Sequence, residues 1–401
     1  MVEIKEISSR TNGYSNADLL TKYPNDIHYP AIKRIEAIIV DLPTIRPHHL
    51  SMTVMKKQTM VIIRLHCSDG IEGLGESTTI GGLSYGEESP ESIKLNIDTY
   101  FTPLLLGKDA TNIHTAMLLL DKNIVANRIA KSGIETALLD AQGKRLGVPI
   151  STLLGGAITN SLPVLWTLAS GKTETDIEEA QHLLAIDRHN TFKLKIGYQE
   201  LSASIAHVAA IKKALGDRAK VTVDVNQAWD ESTAKQSIAK LQDAGIDLIE
   251  QPIAKENFEG LARLTQMFRI PIMADEAQAD LSDAFKLAKM RACDVFALKI
   301  AKSGGLYNVL KTAAIAEASD ISLYGGTLLE GTIGSVASAH VFSTLNKMSW
   351  GTELFGPLLL TDDIVKTKVD FSNSSLKIPQ GAGLGLELDE DKLEKYRRVA
   401  P

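Results

Sequence analysis

The sequence predicts an α/β fold in which a parallel, TIM-like βα barrel is joined to an α+β capping domain. The first observation is a repeat: Asp224, Glu250 and Asp275 each close a short apolar run, at intervals of 26 and 25 residues. One strand and its return helix take about that length in a parallel βα repeat. The second observation is an antiparallel strand pattern near the N-terminus. The third is the length of 401 residues, which exceeds one ordinary core.

The N-terminal part is predicted to begin with an extension and to continue as the capping domain. Residues 1–30 are polar and aperiodic, and we place them outside the fold. The capping domain is predicted to span residues 31–155, with helices between about residues 89 and 147. Its strands are predicted at residues 35–42, 58–67 and 73–76. Short turns between these strands favour an antiparallel meander.

A loop rich in glycine and threonine follows the third strand, at residues 78–86. Its glycines allow motion, and Ile80 and Tyr85 offer apolar contacts. One interpretation is a lid that closes over a site and excludes water. The alternative is a plain surface turn.

The barrel is predicted to span residues 156–363, with its first strand at 162–168 and its last near 351–353. After about residue 363 the chain returns to strand and loop character. We expect the segment 364–401 to pack back onto the capping domain.

Lysines continue the pattern of strand-end charges on both sides of the three carboxylates. Lys193 and Lys195 lie on one face of an apolar strand, and Lys299 ends another strand 24 residues after Asp275. A charge in an apolar strand is costly unless it is paired or metal-bound. Because parallel strand ends meet at one rim of a barrel, these residues are predicted to converge there. One strand-end charge alone would indicate only a solvated loop boundary.

Three hard oxygen ligands at one rim predict a divalent cation, Mg²⁺ or Mn²⁺. Such a cation stabilises the charge that forms when a carbon next to a substrate carboxylate loses its proton. Lysines beside it can transfer the proton and stabilise the enolate, and we expect Lys193, Lys195 and Lys299 to share these tasks. A neighbouring lysine and the cation are expected to lower the pKa of the proton-transferring lysine.

Composition narrows the class of protein. Hydrophobic residues make up 44% and charged residues 23% of the chain, as in soluble globular proteins. The net charge of −6 argues against a nucleic-acid surface. The sequence contains no apolar run of 18 residues, so no membrane span is expected. Its start lacks a signal-peptide pattern. Cys67 and Cys293 lie in apolar runs, which predicts buried free thiols and a cytoplasmic location.

The order Lys-x-Lys, Asp, Glu, Asp, Lys at successive strand ends resembles the enolase superfamily. Within it, local strings resemble the muconate-lactonizing subgroup over residues 33–397, including the lid. Members of that family do not ordinarily carry the N-terminal extension. The strings that carry the resemblance are residues 40–47, 191–197, 223–227, 246–252, 271–276, 297–302 and 351–361.

The resemblance implies a modified, β7α-type TIM barrel and an isomerase. The implied reaction is the reversible, metal-dependent lactonization of cis,cis-muconate to muconolactone through an enolate, in the catabolism of aromatic compounds by the β-ketoadipate pathway. Its implied cofactor is Mn²⁺, with Mg²⁺ as the alternative. The implied partners are a small dicarboxylate substrate and further copies of the chain in an octamer, without nucleic acid or membrane.

The resemblance also implies roles for single residues. Lys195 would be the general acid, with Lys193 and Lys299 near the enolate and the substrate carboxylate. Glu353 would be hydrogen-bonded to the carboxylate that becomes the enolate. The implied metal ligands are Asp224, Glu250 and Asp275, and the implied substrate-binding residues are Ile80, Tyr85 and Asn226. Lys302, in the loop after the sixth barrel strand, is expected to be a solvated charge.

Two alternatives stay open at this point. Another enzyme of the subgroup would use the same lysines and metal: a dipeptide epimerase, an N-acyl amino acid racemase, o-succinylbenzoate synthase or a chloromuconate cycloisomerase. A racemase in particular would need Lys195 and Lys299 on opposite faces of its substrate, and both are present. The second alternative is a non-catalytic protein that kept the barrel, against which the intact lysines and carboxylates argue.

Overall fold

The fold is described from a computed structural model that covers residues 29–49, 54–197 and 200–399. The predicted extension therefore lies almost wholly outside the described residues. Three strands form the first sheet, in the order β1-β2-β3: β1 Ile32–His49, β2 Val54–Cys67 and β3 Glu72–Thr78. Both pairings are antiparallel, which confirms the predicted meander.

Five helices follow this sheet: α1 Pro90–Asn96, α2 Thr102–Leu105, α3 Ile113–Asn123, α4 Arg128–Leu146 and α5 Ile150–Leu153. The segment from β1 to α5 is called the N-terminal region below. Helix α4 packs directly on β3, and this close approach requires glycine. A Cβ built at Gly75 would lie 2.0 Å from the carbonyl oxygen of Gly133. The sheet and α4 therefore pack so closely that no side chain fits at position 75.

Seven parallel strands form the barrel sheet, in the order β11-β10-β9-β8-β7-β6-β5. These strands are β5 Trp166–Leu168, β6 Thr191–Lys195, β7 Lys220–Asp224, β8 Leu248–Glu250, β9 Ile272–Ala274, β10 Val295–Leu298 and β11 Ser322–Gly325. The helices between and after them are α6 Thr173–Ala185, α7 Leu201–Leu215, α8 Glu231–Asp243, α9 Phe258–Met267, α10 Leu281–Met290, α11 Ile300–Ser303, α12 Leu306–Ala318 and α13 Thr332–Phe342. The predicted fold class is confirmed.

Thr352 closes the barrel, because it pairs in parallel with Gly325 at one edge of the sheet and with Val164 beside the other. The expected last strand near residues 351–353 is thus reduced to a bridge at one residue. The expected first strand, residues 162–168, was wrong in extent. Its beginning, β4 Ser161–Pro163, pairs antiparallel with β12 Ser375–Lys377 and lies in a separate two-stranded sheet.

The C-terminal segment returns to β1, after the last helix, α14 Glu390–Tyr396. Arg398 donates to both carboxylate oxygens of Asp41, over 2.8 and 2.7 Å. Burial opposes the charge on Asp41, but the bonds from Arg398, Thr59 and Lys57 outweigh it and hold its pKa well below the usual value. The chain end is therefore tied to the first sheet.

The described residues contain no helix that is long and apolar enough to cross a membrane. Cys67 and Cys293 are both buried and free, as the sequence predicted.

Candidate active site

The rim at the carboxyl ends of the barrel strands brings the predicted charged residues together. Lys195, Asp224 and Glu250 are the last residues of β6, β7 and β8, and they are register partners across the sheet. Asp275 and Lys299 directly follow β9 and β10. The pocket at this rim has a cavity volume of only about 20 Å³ and is lined by Ile80, Tyr85, Lys195, Asp224, Asn226, Glu250, Asp275, Lys299, Thr327, Leu329 and Glu353. The charged side chains and the lid residues therefore fill most of the space at the rim.

Lys193 lies one layer deeper in the barrel than Lys195 and is 1% exposed. Its ammonium lies 2.6 Å from Glu250 Oε2 and 2.8 Å from Glu353 Oε2. Tyr324 donates to the same oxygen of Glu353, over 3.1 Å. Burial disfavours the charge on Lys193, but Glu250 and Glu353 outweigh it and raise its pKa well above the usual value. Lys193 is thus held as a fixed cation beneath the pocket.

The other two predicted lysines also bind predicted metal ligands. Lys195 Nζ donates to Asp224 Oδ2 over 2.9 Å, and Lys299 Nζ donates to Asp275 Oδ2 over 2.6 Å. The stem of Lys299 runs close over Gly326, where a built Cβ would lie 2.7 Å from its Cε atom. A side chain at position 326 would therefore displace Lys299 from the pocket.

Lys195 does not have the lowered pKa that we expected from its neighbours. Burial disfavours its ammonium, but Asp224 and Glu353 outweigh both burial and the repulsion of Lys193, so its pKa is raised. The expectation counted the nearby lysine and a bound cation but missed the carboxylates that contact Lys195, so the part of it that concerned the neighbouring side chains was wrong. A protonated Lys195 at neutral pH is ready to act as a proton donor.

Lys302 was wrongly expected to be a solvated charge. It lies in α11, and its ammonium donates to Asp275 Oδ1 and to the carbonyl oxygens of Asp275 and Ala297, over 2.6 to 2.9 Å. Asp275 therefore has a lysine on each carboxylate oxygen, and these lysines hold its pKa well below the usual value although it is buried.

The two predicted lid residues, Ile80 and Tyr85, both line the pocket. Tyr85 does more than the sequence indicated. Its hydroxyl donates to Asp275 Oδ2 over 3.1 Å and accepts from Lys299 Nζ over 2.9 Å. The lid therefore contacts a predicted metal ligand as well as the space for a substrate.

Asn226 connects Lys195 to a further buried acid, Glu276. Its side chain accepts from Lys195 over 3.4 Å and donates to Glu276 over 3.2 Å, while its backbone amide donates to Asp224 over 2.9 Å. Burial, with Asp275 and Asp224 nearby, raises the pKa of Glu276 to about 7. The placement of Asn226 at the edge of the carboxylate set agrees with a supporting role.

Sequence reasoning gave no role to Lys302, Glu276, Tyr324, Thr327 or Leu329. Tyr324 carried a usable signal, because it places a polar group in an apolar run. Thr327 and Leu329 gave none, since they sit in a loop whose path depends on the surrounding fold.

The donor set for a cation consists of Asp224, Glu250 and Asp275, which all line the pocket. In the described part of the chain, no three His, Cys, Asp or Glu side chains stand close enough to hold a metal ion as they are. The lysine ammonium groups take up several of these oxygens. Glu250 Oε2 is buried without a hydrogen bond of good geometry, although Lys193 lies 2.6 Å away. Three carboxylates with one poorly satisfied oxygen fit a hard divalent cation.

The chain matches two family models over most of its length. Residues 34–155 match the N-terminal domain of mandelate racemase and muconate lactonizing enzyme, and residues 176–392 match the enolase C-terminal domain-like family. The chain therefore belongs to the enolase superfamily, in its mandelate racemase and muconate lactonizing branch. This confirms the resemblance predicted from the strand-end residues.

Within that branch the chain is similar to several cycloisomerases. Muconate cycloisomerase 1 of Pseudomonas putida is 60% identical, over 92% of this chain and 98% of that protein. The crystal structure of muconate lactonizing enzyme from Pseudomonas fluorescens, complexed with muconolactone, matches with a TM-score of 0.91 and 61% identity, over 92% of this chain and 100% of that one. A chloromuconate cycloisomerase of Delftia acidovorans is more distant, at 44% identity over 92% of this chain and 100% of its own. These relatives indicate that the chain is an isomerase.

Proposed function

We propose that the protein is a muconate cycloisomerase, which converts cis,cis-muconate reversibly to muconolactone in the catabolism of aromatic compounds. The observation that carries this proposal is the charge balance of the buried pocket. Four lysines pair there with four carboxylates, so these charges cancel when all eight groups are ionised. Burial raises the pKa of Glu250, and a bound cation would favour its ionised form. Bound M²⁺ would leave an excess of two positive charges, which a substrate with two carboxylates neutralises.

The same balance argues against the alternatives whose substrate carries a single carboxylate. A substrate with one carboxylate, such as an N-acyl amino acid, would leave a buried positive charge uncompensated, which is costly. Two further buried carboxyls lie nearby: burial raises the pKa of Glu276 to about 7 and also raises the pKa of Glu330. The pocket thus favours a dianion over a monoanion. The greater identity to muconate cycloisomerases than to the chloromuconate enzyme supports the unchlorinated substrate.

The proposed cation site uses Asp224, Glu250 and Asp275. Muconate cycloisomerases of the enolase superfamily depend on a divalent metal, and we propose Mn²⁺, with Mg²⁺ as the alternative. When bound, the cation supplies positive charge beside the substrate carboxylate that becomes an enolate. We further propose an octamer located in the cytoplasm, as the resemblance implies.

The chain's own residues then move one proton. One carboxylate oxygen of muconate attacks an alkene carbon and forms the carbon–oxygen bond of the lactone. The alkene electrons shift toward the other carboxylate as an enolate, whose charge Lys193 and Lys299 offset. Glu353 accepts from Lys193 and Tyr324, and so holds Lys193 in place beneath that charge. Lys195 Nζ gives its proton to the α-carbon, which completes the product, and regains a proton from solvent. Ile80 and Tyr85 close the pocket over the substrate and exclude water.

The direct test is the loss of the ultraviolet absorbance of muconate when the purified protein is supplied with Mn²⁺. We expect muconate to be consumed and muconolactone to be formed. No consumption of muconate, together with racemization of an N-acyl amino acid or epimerization of a dipeptide, would overturn the proposal.

Removal of the Tyr85 hydroxyl should affect both substrate and metal. In Tyr85→Phe the lid loses the hydrogen bond that its hydroxyl accepts from Lys299, worth about 0.5–1.5 kcal/mol, which raises KM for muconate roughly two- to tenfold. Mn²⁺ should bind somewhat more tightly, because the cation no longer displaces the phenol from Asp275 Oδ2. Ile80→Ala is the matched control: it also opens the lid, but should leave the Kd for Mn²⁺ unchanged. Equal Mn²⁺ affinity in Tyr85→Phe and the parent would contradict the link between lid and metal ligand.

A further inference from the structure

The loop between β11 and α13 supplies one wall of the pocket through Thr327 and Leu329. Leu329 has a φ of +60°, in the left-handed region. This conformation is unfavourable for leucine, because its Cβ crowds the following carbonyl oxygen. Such a residue keeps its backbone only where surrounding contacts hold it, and strained residues of this kind gather at functional sites. The contacts that hold Leu329 therefore bear on the shape of the pocket.

Bonds within the loop hold its amides. Leu329 N donates to Thr327 Oγ1 over 2.8 Å, and Leu328 N donates to Glu330 Oε2 over 3.0 Å. The carbonyl groups of the loop are held by a side chain from outside the loop. Gln58 Nε2, on β2, donates to the carbonyl oxygens of Leu328 and Leu329 over 3.0 and 2.9 Å. Gln58 is 2% exposed, so water does not replace these bonds readily.

A second residue of the N-terminal region holds the end of the loop. Glu76, on β3, accepts from Gly331 N over 2.6 Å and from Gly334 N over 2.8 Å, at the start of α13. A carboxylate is favourable there, because the first amides of a helix lack partners within it. The packing is tight: a Cβ built at Gly331 would lie 2.5 Å from Met60 Sδ on β2.

The strand that carries Glu76 also leads into the lid. Thr78, the last residue of β3, donates to Glu76 Oε1 over 2.6 Å, and Ile80 lines the pocket two residues later. The lid wall at Ile80 and the barrel wall at Leu329 are therefore both held from the first sheet, although they come from distant parts of the chain.

We propose that Gln58 and Glu76 are positioning residues, which hold the Leu329 wall of the substrate pocket in place from the N-terminal region. Neither residue lines the pocket, so both act through the backbone of the loop. The inference rests on the proposed function, because it concerns how that substrate is held.

Gln58→Met tests the first residue, since methionine keeps the length and removes the donor. Glu76→Gln tests the second, since its amide group cannot accept from both Gly331 and Gly334. We expect KM for muconate to rise about tenfold in each variant, with kcat within threefold and the Kd for Mn²⁺ unchanged. This pattern identifies lost substrate positioning and not lost chemistry.

Glu135→Gln is the matched control. Glu135 is also a buried acid of the N-terminal region that accepts from an amide at the start of a barrel helix, Tyr307 N of α12, over 3.2 Å. Its helix brings no residue to the pocket. We expect a comparable fall in Tm and a KM within twofold of the parent. If KM changes in Gln58→Met and Glu76→Gln are as small as in Glu135→Gln, the two residues are only structural and the proposal is overturned.

A double-mutant cycle with Leu329→Gly adds a comparison of KM values that a loss of stability alone would not change. Glycine adopts a positive φ without steric cost, so the loop no longer needs to be forced into it. Gln58→Met should then raise KM less than threefold, and a full tenfold rise in that background would contradict the role assigned to Gln58.

A failure of the proposed function can be told apart from a failure of this inference. If the parent protein does not consume muconate, amide hydrogen exchange of the segment 326–335 reads the same positioning. Exchange should accelerate in Gln58→Met and stay at the parental rate in Glu135→Gln, and equal rates in both variants would overturn the proposal.

Discussion

Replacing Lys195 with alanine is expected to remove nearly all turnover of cis,cis-muconate. General acid catalysis contributes about 10²- to 10⁴-fold, and the loss should be at least that large. Lys195 lines the pocket at the end of β6 and is kept protonated by Asp224 and Glu353. The variant should still bind substrate. It should bind Mn²⁺ at least as tightly as the parent does, because without the Lys195 ammonium the oxygens of Asp224 are available to the metal.

The measurement combines kinetics with isotope labelling. Reaction in D₂O should place one deuterium on a single face of the carbon next to the carboxylate outside the ring, since a lysine on one strand reaches one face of the enolate. Lys302→Met is a useful comparison, because it also removes a buried ammonium from a carboxylate of the site but no proposed proton donor. A Lys195→Ala enzyme within tenfold of the parent, or racemic label, would show that water or another residue supplies the proton.

The second large effect concerns the cation. Chelation should abolish turnover, and Mn²⁺ or Mg²⁺ should restore it. Glu250→Gln keeps the shape of the side chain and removes a ligand charge. Loss of a supporting partner outside the ligand set already costs about 10- to 100-fold in metal affinity, and loss of a ligand should cost at least that.

Glu276→Gln is the matched control for this substitution. It makes the same change at a buried acid next to Asp275, and we expect a Kd for Mn²⁺ within tenfold of the parent. Titration calorimetry or the electron paramagnetic resonance of free Mn²⁺ gives both constants without any assay of activity. Full turnover after exhaustive chelation, with no metal found by elemental analysis, would refute the site.

Strand-end charges made the centre of the site predictable from the sequence. Lys193, Lys195 and Lys299 interrupt apolar runs, and burying a charge is too costly to occur without a partner. The successive intervals from Lys195 through the three carboxylates to Lys299 each match about one βα repeat, so the rim on which these residues meet follows from the periodicity. The first two strands of the first sheet were predictable because each contains an apolar run, and the third was predictable because it follows the turn at residues 68–70.

Features that depend on distant pairing could not be predicted in this way. Residues 162–168 read as one strand, but Ser161–Pro163 pairs with Ser375–Lys377, more than 200 residues later. The local pattern contains no information about that partner. Lys302 looked like a loop charge because the short helix α11, which turns it toward Asp275, has no periodic signal in four residues.

The pairing of lysines with carboxylates in the pocket has a consequence for how the enzyme is assembled. Many metal proteins cannot fold before their ion arrives, because the bare ligands repel one another. Here the lysines serve as internal counterions, so the newly made chain does not need the ion to complete its fold. Loading of the ion then becomes an exchange, in which the cation takes carboxylate oxygens from ammonium groups already in place. If the proposed site holds the ion, the protein should keep its fold when the ion is removed and regain turnover when the ion is added back.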